Sequence, residues 1–170
     1  MTGPTTRDAT AADLPAIDAL FRESFVATFG HLYKPEDLAA FLADFTLAAW
    51  TREFESADHR FRVAEDAGGM IGYAKIGDLT LPAQTEAKTV ELRQLYLTER
   101  AKGGGVAQSL MAWVIDTARE RGADELWLSV YVDNHRARRF YERYGFETQG
   151  IYAFKVGNHL DEDHLMRLEL

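Results

Sequence analysis

The chain contains no cysteine, which excludes disulfides, thiolate zinc sites and a covalent cysteine intermediate. No apolar run approaches the roughly 18 residues of a membrane-spanning helix. The start, MTGPTTRDAT, lacks the apolar stretch of a secretory signal. Positive charge is in short supply, with 19 Lys and Arg against 27 Asp and Glu and a formal net charge of −8. Duplex binding needs a local excess of Lys and Arg, so neither a nucleic acid nor a membrane is an expected partner, whereas a cationic substrate fits. The expected setting is cytoplasmic. At 170 residues and 46% hydrophobic composition, the chain is long enough for one domain, 1–170, with its own core.

Several nucleotide and metal signatures are also missing. There is no GxxxxGK[ST] loop, GxGxxG fails because Gln108 stands where the third glycine belongs, and HLDEDH at 159–164 is neither HExxH nor an EF-hand loop. That acidic segment reads as a solvated turn, and no metal is expected. The scarce positive charge is nevertheless concentrated. From Arg93 to Arg143 there are nine Lys and Arg against seven Asp and Glu, while the rest of the chain is strongly acidic. Three consecutive glycines, Gly103, Gly104 and Gly105, lie inside this basic segment.

Periodicity supplies the element order. TTRDAT reads as a short strand. Leu14, Ile17, Leu20, Phe21, Phe25 and Phe29 have helical spacing, and a second helical stretch starts at PEDLAAFLADF, with Pro35 in its first turn, and runs to about Ser56 in two pieces. RFRVAED and MIGYAKIGDL alternate around a glycine turn and read as a β-hairpin. TVELRQLYL is a further strand. Beyond the glycines, Val106, Leu110, Val114 and Ala118 define a helix that Gly122 ends, and ELWLSVYV is a strand buried on both faces. This is a βαβ unit with the glycines at its first junction. Asn134 is placed to cap a last helix carrying Ala137, Phe140, Tyr141 and Tyr144, and FETQGIYAFKV and DHLMRLEL complete the sheet.

A helix N-terminus presents unpartnered N–H groups and partial positive charge, so it binds anions where side chains leave room. Three glycines let a diphosphate reach the backbone itself. One glycine would serve a plain strand-to-helix loop, and three cost more conformational entropy.

These residues resemble the GNAT superfamily of N-acetyltransferases. Its acetyl-CoA signature, [Q/R]-x-x-G-x-[G/A], matches Arg100, Gly103 and Gly105 in RAKGGG, after a strand ending LYL and before a long helix. The second signature, Asn and Ala followed by FYxxxGF, matches Asn134, Ala137 and FYERYGF from Phe140 to Phe146. The likeness covers about 60–170 well. The resemblance implies an α/β fold, a single GNAT-like domain. Its mixed, mostly antiparallel twisted sheet would hold a central parallel βαβ unit with about four helices. The acetyl-CoA core is expected at about 60–155 and the acceptor-side helices at about 13–57. The ending YAFKVGNHLDEDHLMRLEL also resembles bacterial spermidine/spermine N-acetyltransferases at Phe154, Gly157, Asp163 and Met166, with Gln94 where that branch tends to have Arg.

The resemblance further implies acetyl-CoA as co-substrate, held along Leu95, Tyr96 and Leu97, by the amides from Lys102 through Gly103, Gly104, Gly105 and Val106 to Ala107, and by Asn134. Arg100 and Lys102 would add charge. Tyr141, at the FY position, is the expected acid for the departing thiolate; by spacing alone it would sit in the core. Glu91, four residues before Leu95, is the expected base unless a bulge turns it to the other face. His31, Tyr33 and His135 are weaker candidates for proton transfer. Asp161, Glu162 and Asp163 are the expected anchors for a second cation of a polyamine or other small amine. Acetylation of a protein N-terminus or lysine, or a catalytically silent acyl-CoA sensor, would use the same signatures. The sequence leaves the oligomeric state open, a homodimer included.

Overall fold

Arg7 fastens the start of the chain to the first helix: its guanidinium donates two 2.8 Å hydrogen bonds to the Asp13 carboxylate, which itself accepts from the Thr10 amide. From this clasp the computed structural model, which describes residues 2–170, follows the predicted order. The elements are β1 (Thr5–Asp8), α1 (Leu14–Phe29), α2 (Pro35–Ala43), α3 (Leu47–Glu55), β2 (Arg60–Asp66), β3 (Gly69–Gly77), β4 (Thr89–Leu97), α4 (Val106–Glu120), β5 (Glu125–Tyr131), α5 (His135–Arg143), β6 (Glu147–Val156) and β7 (His159–Glu169). The stretch read as two helical pieces is α2 and α3. Thr46 divides them by taking an extended conformation and accepting a hydrogen bond from the Ala49 amide, as an N-cap does.

One seven-stranded sheet runs in the order β1-β2-β3-β4-β5-β7-β6. Among the described residues only β4 and β5 pair in parallel, through Thr89, Val90 and Glu91 against Glu125, Leu126 and Trp127. Helices cover both faces. On one, α4 buries Val106, Leu110, Met111, Val114 and Ala118 against Ile71, Ile76, Val90, Leu92 and Leu126, with α5 beside it. On the other, α1 lays Leu14, Ile17, Leu20, Phe21 and Phe25 over Phe61, Val63 and Tyr73, backed by Trp50 of α3. Burying each of these large side chains contributes about 1.5–3 kcal/mol. No described helix is long and apolar enough to cross a membrane.

Two local features differ from the sequence reading. HLDEDH is no turn: it is the first half of β7, paired with β6 from Val156↔His159 to Ile151↔His164. The turn falls one step earlier, at Gly157 and Asn158, where Gly157 takes φ +57°. There the Asn158 amide donates to Asp37 Oδ1 at 2.8 Å, seating the hairpin on α2. The second feature is a bulge in β4. Its partners in β3 pass from Lys75↔Gln94 to Ile76↔Leu92, leaving Arg93 unpaired.

Candidate active site

The short parallel pairing builds the site. Beyond Glu91 and Trp127, β4 and β5 separate, opening a cavity of about 600 Å³ between Leu92–Leu97 on one side and Leu128–Tyr131 on the other. The Thr98 amide bonds to Ile71 O in β3 at 2.9 Å. By strand alternation, Leu95 and Leu97 therefore turn their backbone groups away from β3 and into the opening. Ser24 Oγ reaches Leu97 O at 3.3 Å from above. Tyr96 points its backbone the other way, toward β3. Its contribution is a half-buried ring that lines the cavity, stacked on Tyr73 and edge-on to Phe21.

The glycine loop forms the other wall. Gly103 and Gly105 take φ +81° and +83°, a region L-residues disfavour, and a Cβ at either would meet no atom within 4 Å. Gly105 opens α4 without any side-chain cap. Ser109 is the first residue of α4 to reach the Gly105 carbonyl, at 3.1 Å, so the amides of Val106, Ala107 and Gln108 lack intrahelical acceptors. These donors, in open space, fit a diphosphate. Gly104 has an ordinary φ and adds only the absence of a side chain. Val106 buries its side chain in the core.

The cations near the loop are arranged differently from expectation. Arg100 is turned from the cavity into an ion pair with Asp66, and Lys102, which does line the cavity, pairs with Glu99. Arg136, Arg139 and Arg143, spaced along α5, line the rim instead. They account for much of the basic segment seen in the sequence, which did not show that they share a face with the glycine loop. Asn134 lines the cavity and caps α5, its Oδ1 accepting from the Ala137 amide at 3.4 Å.

Tyr141 lines the cavity from α5, its ring against Phe140 and Phe146. Burial alone pushes its phenol well above the ordinary value, so the hydroxyl keeps its proton at neutral pH. No hydrogen bond among the described residues occupies it.

Glu91 is placed elsewhere. The Arg93 bulge turns Glu91 and Leu95 to opposite faces. The buried Glu91 carboxylate accepts from the Thr80 amide at 2.7 Å and its hydroxyl at 3.0 Å, and it does not line the cavity. Its direct reach to an acceptor amine, expected from spacing, is thereby withdrawn.

The acidic groups that do face the cavity come from β7. Asp161 and Asp163, both buried, line it, while Glu162 between them points to solvent; period-two alternation separates the expected trio. Asp161 is held on both oxygens, accepting from the Tyr33 hydroxyl at Oδ2 and facing His159 Nε2 at 2.9 Å from Oδ1. Burial and that hydrogen bond push the Tyr33 phenol far up, fixing it as a donor. Burial pushes the Asp163 carboxyl up to about 7, with Asp161 adding to the shift and Ser129 opposing it. His31 and His135 are exposed.

Sequence reading missed the aromatic walls. Phe21, Phe25, Phe29, Phe41, Phe45 and Phe154 line the cavity. Helical spacing gave the first five as an inner face, which in a packed helix means core. Nothing in periodicity distinguishes a face that covers a core from one that roofs a cavity.

A chamber lined by aromatic side chains and two buried carboxylates thus adjoins a helix N-terminus with unpartnered amides, at the gap between two parallel strands. The sequence profile of the Acetyltransferase (GNAT) family matches residues 14–146, and the chain belongs to that family. It is 34% identical over 137 residues to an uncharacterized N-acetyltransferase of Mycobacterium tuberculosis (strain ATCC 25618 / H37Rv), covering 80% of this chain and 84% of that one. It is 30% identical over 146 residues to the L-methionine sulfoximine/L-methionine sulfone acetyltransferase of Pseudomonas aeruginosa, covering 85% and 80%. The fold superposes with a TM-score of 0.78 on the PaiA N-acetyltransferase of Thermoplasma acidophilum, solved in complex with coenzyme A, at 19% identity over 99% of this chain and 100% of that one.

Proposed function

We propose that this acetyltransferase moves the acetyl group of acetyl-CoA to the primary amine of a small cationic acceptor, a polyamine first among them, by direct transfer with both substrates bound. One observation carries the reading: a single cavity is lined both by Lys102, Gly103 and Ala107 around the glycine loop and by Asp161 and Asp163 of β7. Donor and acceptor therefore have adjoining places with no need for an enzyme-bound acetyl group.

Bound acetyl-CoA supplies a thioester carbonyl and a thiol leaving group. The unpartnered α4 amides suit its diphosphate, and the inward backbone groups of Leu95 and Leu97 suit its extended amide-bearing arm. The Leu95 amide is the donor that would polarise the thioester oxygen. Tyr141, which keeps its proton, would give it to the departing sulfur. At the acceptor end the carboxylates hold ammonium groups while the phenylalanine faces cover the methylenes between them.

The test is a panel of spermidine, a monoamine of similar length, L-methionine and a short peptide, assayed by released CoA. Spermidine is expected to show the highest kcat/KM, and added salt to raise its KM more than that of the monoamine. Equal use of the monoamine at low salt, or acetylation of peptides alone, would remove the polyamine assignment. Acetyl-CoA binding without turnover of any amine would point to a sensor.

A further inference from the structure

The two cavity-lining aspartates of β7 are alike in sequence and burial but not in their partners, and acetyl transfer needs something that neither Tyr141 nor the backbone provides. An amine that enters as an ammonium must lose a proton before its nitrogen can attack. We propose that Asp163 is the general base that takes this proton and that Asp161 is the fixed anion that positions the acceptor. The inference rests on the acetyltransferase reading of the same site.

The partner pattern separates the roles. Asp161 has both oxygens engaged, by the Tyr33 hydroxyl and by His159, which holds the carboxylate in one orientation. Asp163 pairs with Tyr131 across to β5 and with Tyr152 across to β6. Its side chain has no cationic partner among the described residues, and Ser129 is the polar neighbour that opposes the upward shift of its carboxyl. The ionisable groups around it are Asp161, Tyr33, Tyr96 and Tyr131, with Tyr152 opposite it in β6: an acid and phenols, with no positive charge to hold it ionised. Asp163 and Tyr141 line the same cavity, which places the proposed base and acid in one chamber. A carboxyl that titrates near neutrality suits proton transfer at working pH; burial supplies that property here.

The proton count closes. The acceptor ammonium gives one proton to the Asp163 carboxylate and becomes a neutral amine. Its nitrogen lone pair forms the new C–N bond as the C–S bond breaks, and the sulfur receives the Tyr141 proton to become a thiol. The second nitrogen proton passes to the Tyr141 phenolate, restoring it, and the Asp163 carboxylic acid releases its proton to solvent. Ammonium and thioester thus give amide, thiol and one proton, with no oxidant or further reactant.

The experiment compares pH profiles of kcat/KM for wild type, Asp163→Asn and Asp161→Asn, using whichever member of the amine panel wild type acetylates fastest. Wild type is expected to rise tenfold per pH unit and level off near pH 7. Asp163→Asn is expected to fall at least 100-fold at pH 7.5 and to keep rising toward the pKa of the free amine, because only amine already neutral in solution can react. Asp161→Asn is expected to raise KM and to keep a break, moved somewhat below 7 because the Asp161 charge adds to the upward shift of the Asp163 carboxyl. A thermal shift with acetyl-CoA reports that each variant is folded. Independently of turnover, the Asp163 carboxyl carbon of the wild-type protein, followed by 13C NMR, is expected to titrate near 7. An Asp163→Asn profile that parallels wild type, or a carboxyl that titrates near 4, overturns the base assignment while leaving acetyl transfer in place. Wild type that turns over no amine overturns both.

Discussion

Gly157→Ala tests whether the β6–β7 turn is what holds the two aspartates at the cavity. A Cβ built on Gly157 would lie 2.5 Å from the Asp37 Cα and 2.6 Å from its Oδ1, and the nearer of these is backbone of α2 that cannot swing aside. The residue also has φ +57°, where an L side chain costs about 1–2 kcal/mol. Overpacking adds about 1–3 kcal/mol. Lifting the hairpin to relieve it stretches the 2.8 Å bond from the Asn158 amide to Asp37, and a hydrogen bond to a charged group contributes about 1.5–3 kcal/mol. These contributions overlap, because relief of the clash is what breaks the bond, so about 4 kcal/mol is expected in total, or roughly 10 °C in melting temperature for a chain of this size. Gly103→Ala is the control. It shares a positive φ of +81° but meets no atom within 4 Å, so strain alone should cost about 1–2 kcal/mol, roughly 2–8 °C. Circular dichroism melts decide the stability question. Where Gly157→Ala is still folded, its KM for the acceptor should rise while acetyl-CoA retains its thermal shift. Melting temperatures for the two variants within about 2 °C of each other would refute the contact argument.

Acetyl-CoA at about 100 times its Kd should stabilise the protein by about 2.7 kcal/mol, and Gly105→Val, which forces a β-branched side chain into φ +83°, should remove most of that shift in scanning fluorimetry; full retention would make the loop merely structural. Tyr141→Phe should lower kcat by about 100-fold with little change in melting temperature, and unchanged turnover would return the ring to the core. The Asp163 carboxyl lies at about 7 in the fold against about 3.9 in the unfolded chain. Between these values the native state binds more protons, so this group makes stability fall as pH rises from about 4 to about 7. Asp163→Asn should therefore raise stability above pH 7, by up to about 4 kcal/mol, and leave it nearly unchanged at pH 4; denaturant melts at pH 4 and 8 measure the difference, and an equal change at both would refute it.

The fold was legible where pattern and geometry coincide. Val106, Leu110, Val114 and Ala118 define one stripe, and all four are buried. The glycine loop was legible for the same reason, since positive φ and open space both demand glycine. The Arg93 bulge was not, because an extra strand residue leaves no mark in composition; the reading allowed for a bulge but could not locate one, and so left the face of Glu91 open. β7 was misread because its inward positions Asp161 and Asp163 are acidic: alternation is recognised by apolar residues facing a core, and here that face lines a cavity. The same ambiguity hid Phe41 and Phe45, whose spacing is that of any packed helix.

The separation of β4 from β5 has a consequence for the behaviour of the protein in a crowded cell. Unpaired strand edges are the usual starting points for intermolecular β-pairing and aggregation. Here the backbone of Leu95 and Leu97, which pairs with no strand on that side, lies inside a recess lined by Phe21 and Phe25 of α1 and by residues of α5. A narrow linear molecule can reach it, whereas a neighbouring sheet, with its own side chains on both faces, cannot. The exposed backbone that ligand binding demands is thereby withheld from other copies of the chain, and widening the recess by truncating Phe21 would trade selectivity for self-association.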